Sequence, residues 1–139
     1  MSAEFSLPRL LGIKPGNSIL ILNAPEGYVE KLRAAGLPKT MPIATSVAGA
    51  TRYHVVQGFV YRKADVEQVA RTAIGAVTAG GTVWLTYPKK SMKLDTDLTR
   101  DDGWAAVSEL GWGAVSNFAV DKTWTAKLFT PGGIKGGRR

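Results

Sequence analysis

A long amphipathic segment between two short apolar segments constrains the fold more than any other feature of the chain. Residues 63–81 predict a helix, because apolar side chains recur at helical spacing and Gly80-Gly81 can end it. The apolar stripe consists of Val66, Val69, Ala70, Ala73, Ile74 and Val77. Strands are predicted on either side, YHVVQGFVY at 53–61 and TVWLTYP at 82–88. Strands that alternate with helices predict a mostly parallel sheet with helices on both faces.

The rest of the sequence extends this alternation. Further strands are predicted at 17–25, 41–47, 113–120 and 123–131, and further helices at 26–36 and 98–112. The strand at 41–47 is expected at an edge, because Pro42 has no N–H to donate. The last two strands are separated by Asp121-Lys122 and predict an antiparallel hairpin. The order β-α-β-β-α-β-α-β-β therefore predicts an α/β fold, a three-layer Rossmann-like domain whose mostly parallel sheet ends in an antiparallel hairpin.

Length and composition indicate the class of protein. A chain of 139 residues fits one domain, and we expect a single Rossmann-like domain over 1–131 and a flexible, basic, Gly-rich tail over 132–139. The chain has no cysteine, no apolar run long enough for a membrane span, and no basic segment ahead of an apolar core at its start. These features predict a cytoplasmic protein without disulfides. The formal net charge of +7 is typical of proteins with anionic partners, or it simply aids solubility.

Several short motifs follow one another along nearly the whole chain. They are LGIKPG, ILNAPEGY, GGTVWLTYPKK, TDLTRDDGW and DKTW. Together they resemble a bacterial family that is known only as a domain of unknown function. The order of elements is also similar to that of a shortened class I methyltransferase, in which a Gly-Gly turn precedes a strand like TVWLTYP and a hairpin closes the sheet. This second resemblance implies a fold and not a function.

Ligands of open α/β sheets bind beyond the carboxyl ends of the strands. Three segments are expected at that edge: 23–27 after the first strand, 87–100 after the fourth, and 121–124 in the final turn, which can lie at either edge. The candidate ligand-binding residues are Asn23, Glu26, Tyr87, Lys89, Lys90, Thr96, Asp97, Arg100 and Trp124. Lys89 and Lys90 supply charges that suit phosphate or carboxylate, so we expect a small anionic metabolite. The alternative is that these lysines belong to a solvated loop face.

Two features of a dinucleotide or methyl-donor site are missing. Such a site has a glycine-rich turn after the first strand and an acidic residue at the end of the second. Here the turn 23–27 has one glycine and a rigid proline, and the segment after the second strand carries no carboxylate. Glu26 begins the first predicted helix, where a negative charge discourages phosphate binding. We therefore expect no cofactor, and if the protein is an enzyme, Lys90 or Asp97 is the candidate for proton transfer.

The other reactive groups have structural interpretations. His54 is expected to be structural, since no Ser/Asp relay can be paired with it. No metal site is expected, because the chain has one histidine, no cysteine, and an Asp cluster without EF-hand spacing. Helix capping explains at least two of these acids, with Thr99 and Asp102 at the start of the third helix, and a bound cation is the alternative for the cluster of Asp95, Asp97, Asp101 and Asp102. Of the four tryptophans, Trp124 is the one expected to line a cleft.

A second class of function is left open. No predicted helix carries a Lys/Arg stripe and no aromatic residues are interleaved with basic ones, so nucleic acid is the less favoured partner. The chain could still be a non-catalytic, methyltransferase-like interaction module that binds protein or nucleic acid. The exposed edge of the hairpin permits a homodimer through sheet extension without requiring it, so monomer and homodimer are both open.

Overall fold

The structure is a computed structural model that describes residue 8 and residues 11–38, 40–89, 96–100 and 102–131. Within these residues the elements in chain order are β1 (Ile19–Leu22), α1 (Tyr28–Ala34), β2 (Ile43–Ala44), β3 (Tyr53–Phe59), α2 (Lys63–Ala76), β4 (Val77–Pro88), α3 (Ala105–Glu109), β5 (Trp112–Ala119) and β6 (Trp124–Pro131). This order is the one that the sequence predicts. The predicted tail at 132–139 lies outside the described residues.

The strands of the described residues form one six-stranded sheet in the order β2-β1-β3-β4-β6-β5. Strand β1 pairs in parallel with β2 on one side and β3 on the other, and β3 pairs in parallel with β4. Strand β6 runs antiparallel to both β4 and β5. The predicted fold class is therefore confirmed. After β1 the chain forms β2 on one side of β1, and after β2 it forms β3 on the other side of β1. The switch point of the sheet therefore lies between β1 and β3.

Both faces of the sheet are covered, which produces the three layers. Helix α1 packs on one face through Tyr28 and Leu32, against a cluster that includes Ile19 and Ile21 of β1. Helices α2 and α3 cover the other face, against a cluster that includes Leu20 of β1. All four residues of β1 are buried, because successive side chains of a strand point to opposite faces and both faces are covered. No helix in the described part of the chain is long and apolar enough to cross a membrane.

All three helices are shorter than the sequence predicts, and α1 covers 28–34 rather than 26–36. Helix α2 ends at Ala76 because Val77 is already extended, with ψ 146°, and the chain turns at Gly80 with φ 81° before it rejoins the ladder. A Cβ at Gly81 would lie 2.7 Å from the carbonyl oxygen of His54, so the strands approach there as closely as glycine allows. Helix α3 begins only at Ala105, because Gly103 has φ 112° and breaks the predicted helix.

A buried chain of hydrogen bonds joins α1 to the centre of the sheet. The Tyr28 hydroxyl donates to Gln57 Oε1 at 2.7 Å, and Gln57 Nε2 donates to Thr86 Oγ1 at 2.9 Å. Gln57 and Thr86 are fully buried. Burial raises the pKa of Tyr28, so its hydroxyl keeps the proton that it donates. These three residues, the Tyr28–Gln57–Thr86 triad, hold the first turn of α1 against β3 and β4.

The triad predicts a specific pattern of stability changes. Tyr28→Phe removes one donor and leaves the buried Gln57 oxygen unsatisfied, so we expect the free energy of unfolding to fall by about 1–3 kcal/mol. Tyr28→Phe/Gln57→Leu/Thr86→Val replaces all three polar groups with apolar ones and should cost less than the single change. Urea denaturation measures both variants. A single variant as stable as the wild type would contradict this role of the triad.

Candidate ligand site at the carboxyl edge of the sheet

The loop at 23–27 connects β1 to α1 at the carboxyl edge of the sheet. Asn23 follows β1 in a left-handed conformation with φ 58°, which asparagine tolerates better than most residues. Gly27 also has a positive φ, 86°, and immediately precedes α1. The Tyr28 backbone N–H donates to the Pro25 carbonyl oxygen at 3.1 Å, which closes the loop. The loop is therefore a compact turn that leads directly into the helix held by the triad.

A cavity of about 400 Å³ lies beside this loop. Its lining residues are Ile21, Asn23, Ala24, Pro25, Gly27, Val29, Glu30 and Thr45. Because Thr45 follows β2, the cavity lies between the carboxyl ends of β1 and β2 and the first turns of α1. Its volume falls within the roughly 300–1,000 Å³ of small-molecule pockets. Glu30 is the one charged residue among those that line it. This cavity is called the loop cavity below.

A second cavity of about 270 Å³ lies on the other side of the loop. Its lining residues are Pro25, Glu26, Gly27, Tyr28, Lys31, Asp121 and Trp124. Lys31 Nζ and Asp121 Oδ2 are 2.8 Å apart, so the turn between β5 and β6 is tied to α1. Burial would raise the pKa of Asp121, but hydrogen bonds from Lys31, Trp124 and Thr123 outweigh it and hold the pKa below its usual value.

The hairpin turn lies at the carboxyl edge, which settles the one placement that the sequence leaves open. The Lys89 backbone N–H, just past the end of β4, donates to the Thr123 carbonyl oxygen at 2.8 Å. Trp124 is 7% exposed and packs edge-on against Phe59 and Tyr61, with ring centroids 5.0 and 5.3 Å away. Trp124 therefore lines a cavity while most of its ring is part of the core.

Asp97 is engaged by α2. Its Oδ1 accepts the Lys63 backbone N–H at 2.7 Å, and its Oδ2 lies 4.0 Å from an Arg62 guanidinium nitrogen. The bond from the Lys63 N–H is the main cause that holds the pKa of Asp97 below its ordinary value. Asp102 pairs with the Lys63 ammonium at 2.9 Å, and the Thr99 hydroxyl accepts the Asp102 N–H at 3.1 Å. Asp97 therefore accepts the first backbone N–H of α2, whereas Asp102 only pairs with the Lys63 side chain, and α3 begins after Trp104 without the predicted side-chain cap.

Tyr87 and Arg100 lie on the opposite face of the sheet from α1. Tyr87 is buried against Trp104, with ring centroids 5.0 Å apart. The Arg100 carbonyl oxygen accepts a hydrogen bond at 2.6 Å from Lys127, which is 5% exposed and lies 5.4 Å from the Trp104 centroid. Lys127 is not among the residues predicted from the sequence, where its only signal is a lysine within the apolar segment of β6.

Lys89 is half-buried at the end of β4. Within the described part of the chain, no hydrogen bond or ion pair involves its ammonium group, and it lines neither cavity beside the loop. Thr96 is half-buried, and its hydroxyl accepts the Leu98 N–H at 3.1 Å. Lys90 lies outside the described residues. The structure thus brings together three of the nine candidates around the loop, Asn23, Glu26 and Trp124, while Tyr87, Thr96, Asp97 and Arg100 lie towards α2 and α3.

Comparisons with known proteins agree with the fold. No protein-family model matches the chain, and no curated protein matches it in sequence. The solved complex of DhpI with SAH is similar with a TM-score of 0.58 at 14% identity, over 96% of this chain and 83% of that one. A TehB-like SAM-dependent methyltransferase from Corynebacterium glutamicum gives a TM-score of 0.57 at 10% identity, over 91% and 88%. The glycopeptide N-methyltransferase MtfA gives 0.56 at 10% identity, over 93% and 90%.

These similarities establish the architecture, which is a Rossmann-like α/β fold of the kind found in methyltransferases. Identities of this size carry the fold alone, because one fold hosts many functions. Membership of the bacterial family of unknown function stays a prediction.

The residues present do not fit a standard methyl-donor site. The residue after β2 is Thr45, so no carboxylate stands at the end of that strand to accept bonds from ribose hydroxyls. Pro25 occupies the middle of the first loop and has no N–H to offer a ligand. Glu30 is the one carboxylate that lines the loop cavity, and it comes from α1. We therefore derive no methyl-transfer step. Among the described residues, no group of three His, Asp or Glu side chains could hold a metal ion.

The role of Asp97 predicts a difference in pH dependence. Asp97→Asn keeps an oxygen for the Lys63 N–H but removes the charge. Because the pKa of Asp97 is lowered on folding, its contribution is present above the ordinary aspartate pKa of about 3.9 and is lost as the pH falls through the folded value. We expect the wild type to be more stable than the variant near neutral pH, and the difference to shrink in acid. Urea denaturation at neutral and at acid pH measures this difference in stability.

Glu67→Gln is the matched control, because Glu67 is an acidic residue of α2 itself, in an exposed ion pair with Arg71. Its stability difference from the wild type should be small at either pH. A difference for Asp97→Asn that is constant from neutral to acid pH would show that the charge of Asp97 does not stabilise the start of α2.

Proposed function

We propose that the protein is a methyltransferase-like module that binds a small molecule in the loop cavity. The observation that carries this proposal is the position of that cavity, beside the carboxyl ends of β1 and β2 and the loop 23–27 that follows β1. Open α/β sheets bind their ligands beyond the carboxyl ends of their strands. A loop that is held by a buried hydrogen-bond network also keeps the cavity in shape before the ligand arrives.

The charges around the loop favour a particular kind of ligand. Glu30 lines the loop cavity and Glu26 lines the neighbouring one, where Lys31 is already paired with Asp121. A neutral polar group, or a cationic one, suits these surroundings better than an anion does. The Asn23 amide and the Thr45 hydroxyl can donate as well as accept hydrogen bonds. We therefore propose a ligand with hydroxyl or amine groups that face Glu30.

The expectation of an anionic ligand depends on Lys89. Lys89 is half-buried and its ammonium group has no partner among the described residues, so an anionic part of the ligand, or a separate anion, could meet it. This is a distinct location from the loop cavity, which Lys89 does not line. Of the charged residues that line the two cavities beside the loop, Glu30 is the one placed to accept a proton from a ligand in the loop cavity. No particular reaction follows from a single carboxylate.

The alternative of an interaction module also has an observation in its favour. Strand β5 is an edge strand of eight residues, WGAVSNFA, and carries neither charge nor proline. Edge strands usually carry such residues because these oppose pairing with another chain. Phe118 on this strand is 40% exposed. A partner strand could therefore add to the sheet here, and this would be compatible with ligand binding at the loop.

The proposal predicts a ligand that can be displaced by filling the loop cavity. Native mass spectrometry of the protein as purified should detect a bound small molecule, and adding that molecule back should raise the melting temperature. Ala24→Leu places a larger apolar side chain at a half-buried cavity residue, so we expect at least a tenfold loss of affinity with the folded state retained.

The control is Glu109→Gln, which changes an exposed residue of α3, on the other face of the sheet. It should bind as the wild type does. S-adenosylhomocysteine provides a second comparison, because the residues present do not fit a donor site. If Ala24→Leu binds the co-purified molecule as tightly as the wild type, the ligand is not in the loop cavity. If S-adenosylhomocysteine raises the melting temperature and Ala24→Leu abolishes that effect, the protein has a working donor site instead.

A further inference from the structure

A cavity at the opposite, amino edge of the sheet takes no part in the proposed function. Its volume is about 210 Å³. Its lining residues are Gly12, Lys14, Asn17, His54, Val55, Thr78, Ala79, Gly80, Gly81 and Thr82. They come from the segment before β1, from the start of β3 and from the first half of β4. Two residues of the LGIKPG motif, Gly12 and Lys14, line this cavity, and nothing in the loop cavity explains that motif.

The polar side chains of this amino-edge cavity have donors to offer. Asn17 Oδ1 accepts the Lys14 backbone N–H at 2.9 Å, which leaves the Asn17 amide N–H groups for another partner. His54 Nδ1 lies 2.9 Å from the Ser18 backbone nitrogen. Because a backbone N–H can only donate, Nδ1 is the acceptor and the ring proton is on Nε2. Lys14 adds an exposed ammonium group.

The hydroxyl of Thr82 is the observation that points to a ligand. It is a buried side-chain polar atom with no hydrogen-bond partner within the described residues, and no other such atom occurs there. Buried polar groups are almost always hydrogen-bonded, because leaving one unsatisfied is unfavourable. Thr82 lines the amino-edge cavity. The oxygen is covered by protein atoms, so a ligand that accepts a hydrogen bond in this cavity would give the hydroxyl its missing partner once the Thr82 side chain rotates towards the cavity.

The backbone around the cavity has an irregular course that only glycine permits. Tyr53 pairs with Val77 and Val55 pairs with Thr82, so residues 78–81 of β4 stand opposite a single residue of β3. A Cβ at Gly81 would come within 2.7 to 2.8 Å of three atoms, the carbonyl oxygen of His54 and side-chain atoms of Val77 and Thr78. Bulges of this kind redirect a strand and often lie beside functional sites. The bulge therefore forms one wall of the cavity and places Thr82 at its end.

We propose that the amino-edge cavity binds a small anion with a phosphoryl group, held by Lys14, Asn17, His54 and Thr82. No acidic residue lines the cavity, whereas lysine, imidazole, amide and hydroxyl groups all do. An ammonium group beside several neutral donors suits phosphate, which accepts several hydrogen bonds at once. This second site lies at the opposite edge of the sheet from the loop cavity, so we expect the two sites to bind their ligands independently.

The test uses inorganic phosphate and a phosphate monoester, phenyl phosphate, as separate probes. Titration to about 10 mM, followed by ¹H–¹⁵N NMR, reaches sites of millimolar affinity. We expect saturable shifts of the Gly80, Gly81 and Thr82 amide signals. Tighter binding of the monoester would indicate that the natural ligand is a phosphorylated metabolite, and equal binding would indicate free phosphate. Both results support the site.

Two variants make the test specific. Lys14→Ala should weaken phosphate binding by about tenfold or more, because it removes a charge-assisted contact. Thr82→Val keeps the shape of the side chain but removes the hydroxyl. It should weaken phosphate binding and yet raise the melting temperature of the free protein, since an unsatisfied buried hydroxyl is lost.

Arg71→Ala on α2 is the matched control for loss of a positive charge, and Ala24→Leu tests independence from the loop cavity. Both should bind phosphate as the wild type does. The proposal is overturned if phosphate produces no saturable shifts in the 78–82 segment, or if Lys14→Ala and Arg71→Ala weaken binding equally. It is also overturned if Thr82→Val binds phosphate unchanged. None of these results would bear on the loop cavity.

Discussion

The Tyr28–Gln57–Thr86 triad is the interaction on which the candidate site depends. Helix α1 has only seven residues, and a helix of that length is not stable by itself in water. It is stabilised by the burial of Tyr28 and Leu32 and by hydrogen bonds that end inside the sheet. The loop at 23–27 is continuous with this helix. The shape of the loop cavity is therefore set by a polar network that lies below it, in the core.

The fold and the site give different information about function. The sheet, its switch point and its covering helices are those of a methyltransferase-like Rossmann fold, and the similar solved structures agree. The carboxyl edge departs from a donor site at the residues that would contact the donor, because Thr45 follows β2 and Pro25 occupies the first loop. A scaffold can keep its core while its loops change, since the core is determined by packing and the loops by the ligand.

The sequence predicts the fold well because the relevant signals are local. The apolar run of β1, the stripe of α2 and the turn at Asp121 each lie within a few residues, and each corresponds to an element of the structure. Helix ends were less predictable. The residues before α3 carry good capping side chains, but Gly103 has a positive φ and the helix begins only after it.

The candidate site was predicted only in part, because its contacts join distant residues. Asp97 accepts its hydrogen bond from Lys63, 34 positions earlier, so its engagement with α2 is invisible in the sequence. Lys127 is buried beside Trp104, a contact that the residues around it in the sequence do not reveal. The three candidates around the loop were identifiable from the rule that ligands bind at the carboxyl edge. Which of the charges there are already paired could be learned only from the fold.

A crystal structure of the protein as purified from cells, without added ligand, tests the central claim most directly. The account predicts density for a small molecule in the loop cavity, in contact with Asn23 or Glu30 and enclosed by the 23–27 loop and Thr45. Its polar groups should include a hydroxyl or amine within hydrogen-bond distance of the Glu30 carboxylate. A co-purified molecule located at Lys89 with only ordered water in the loop cavity would contradict the account.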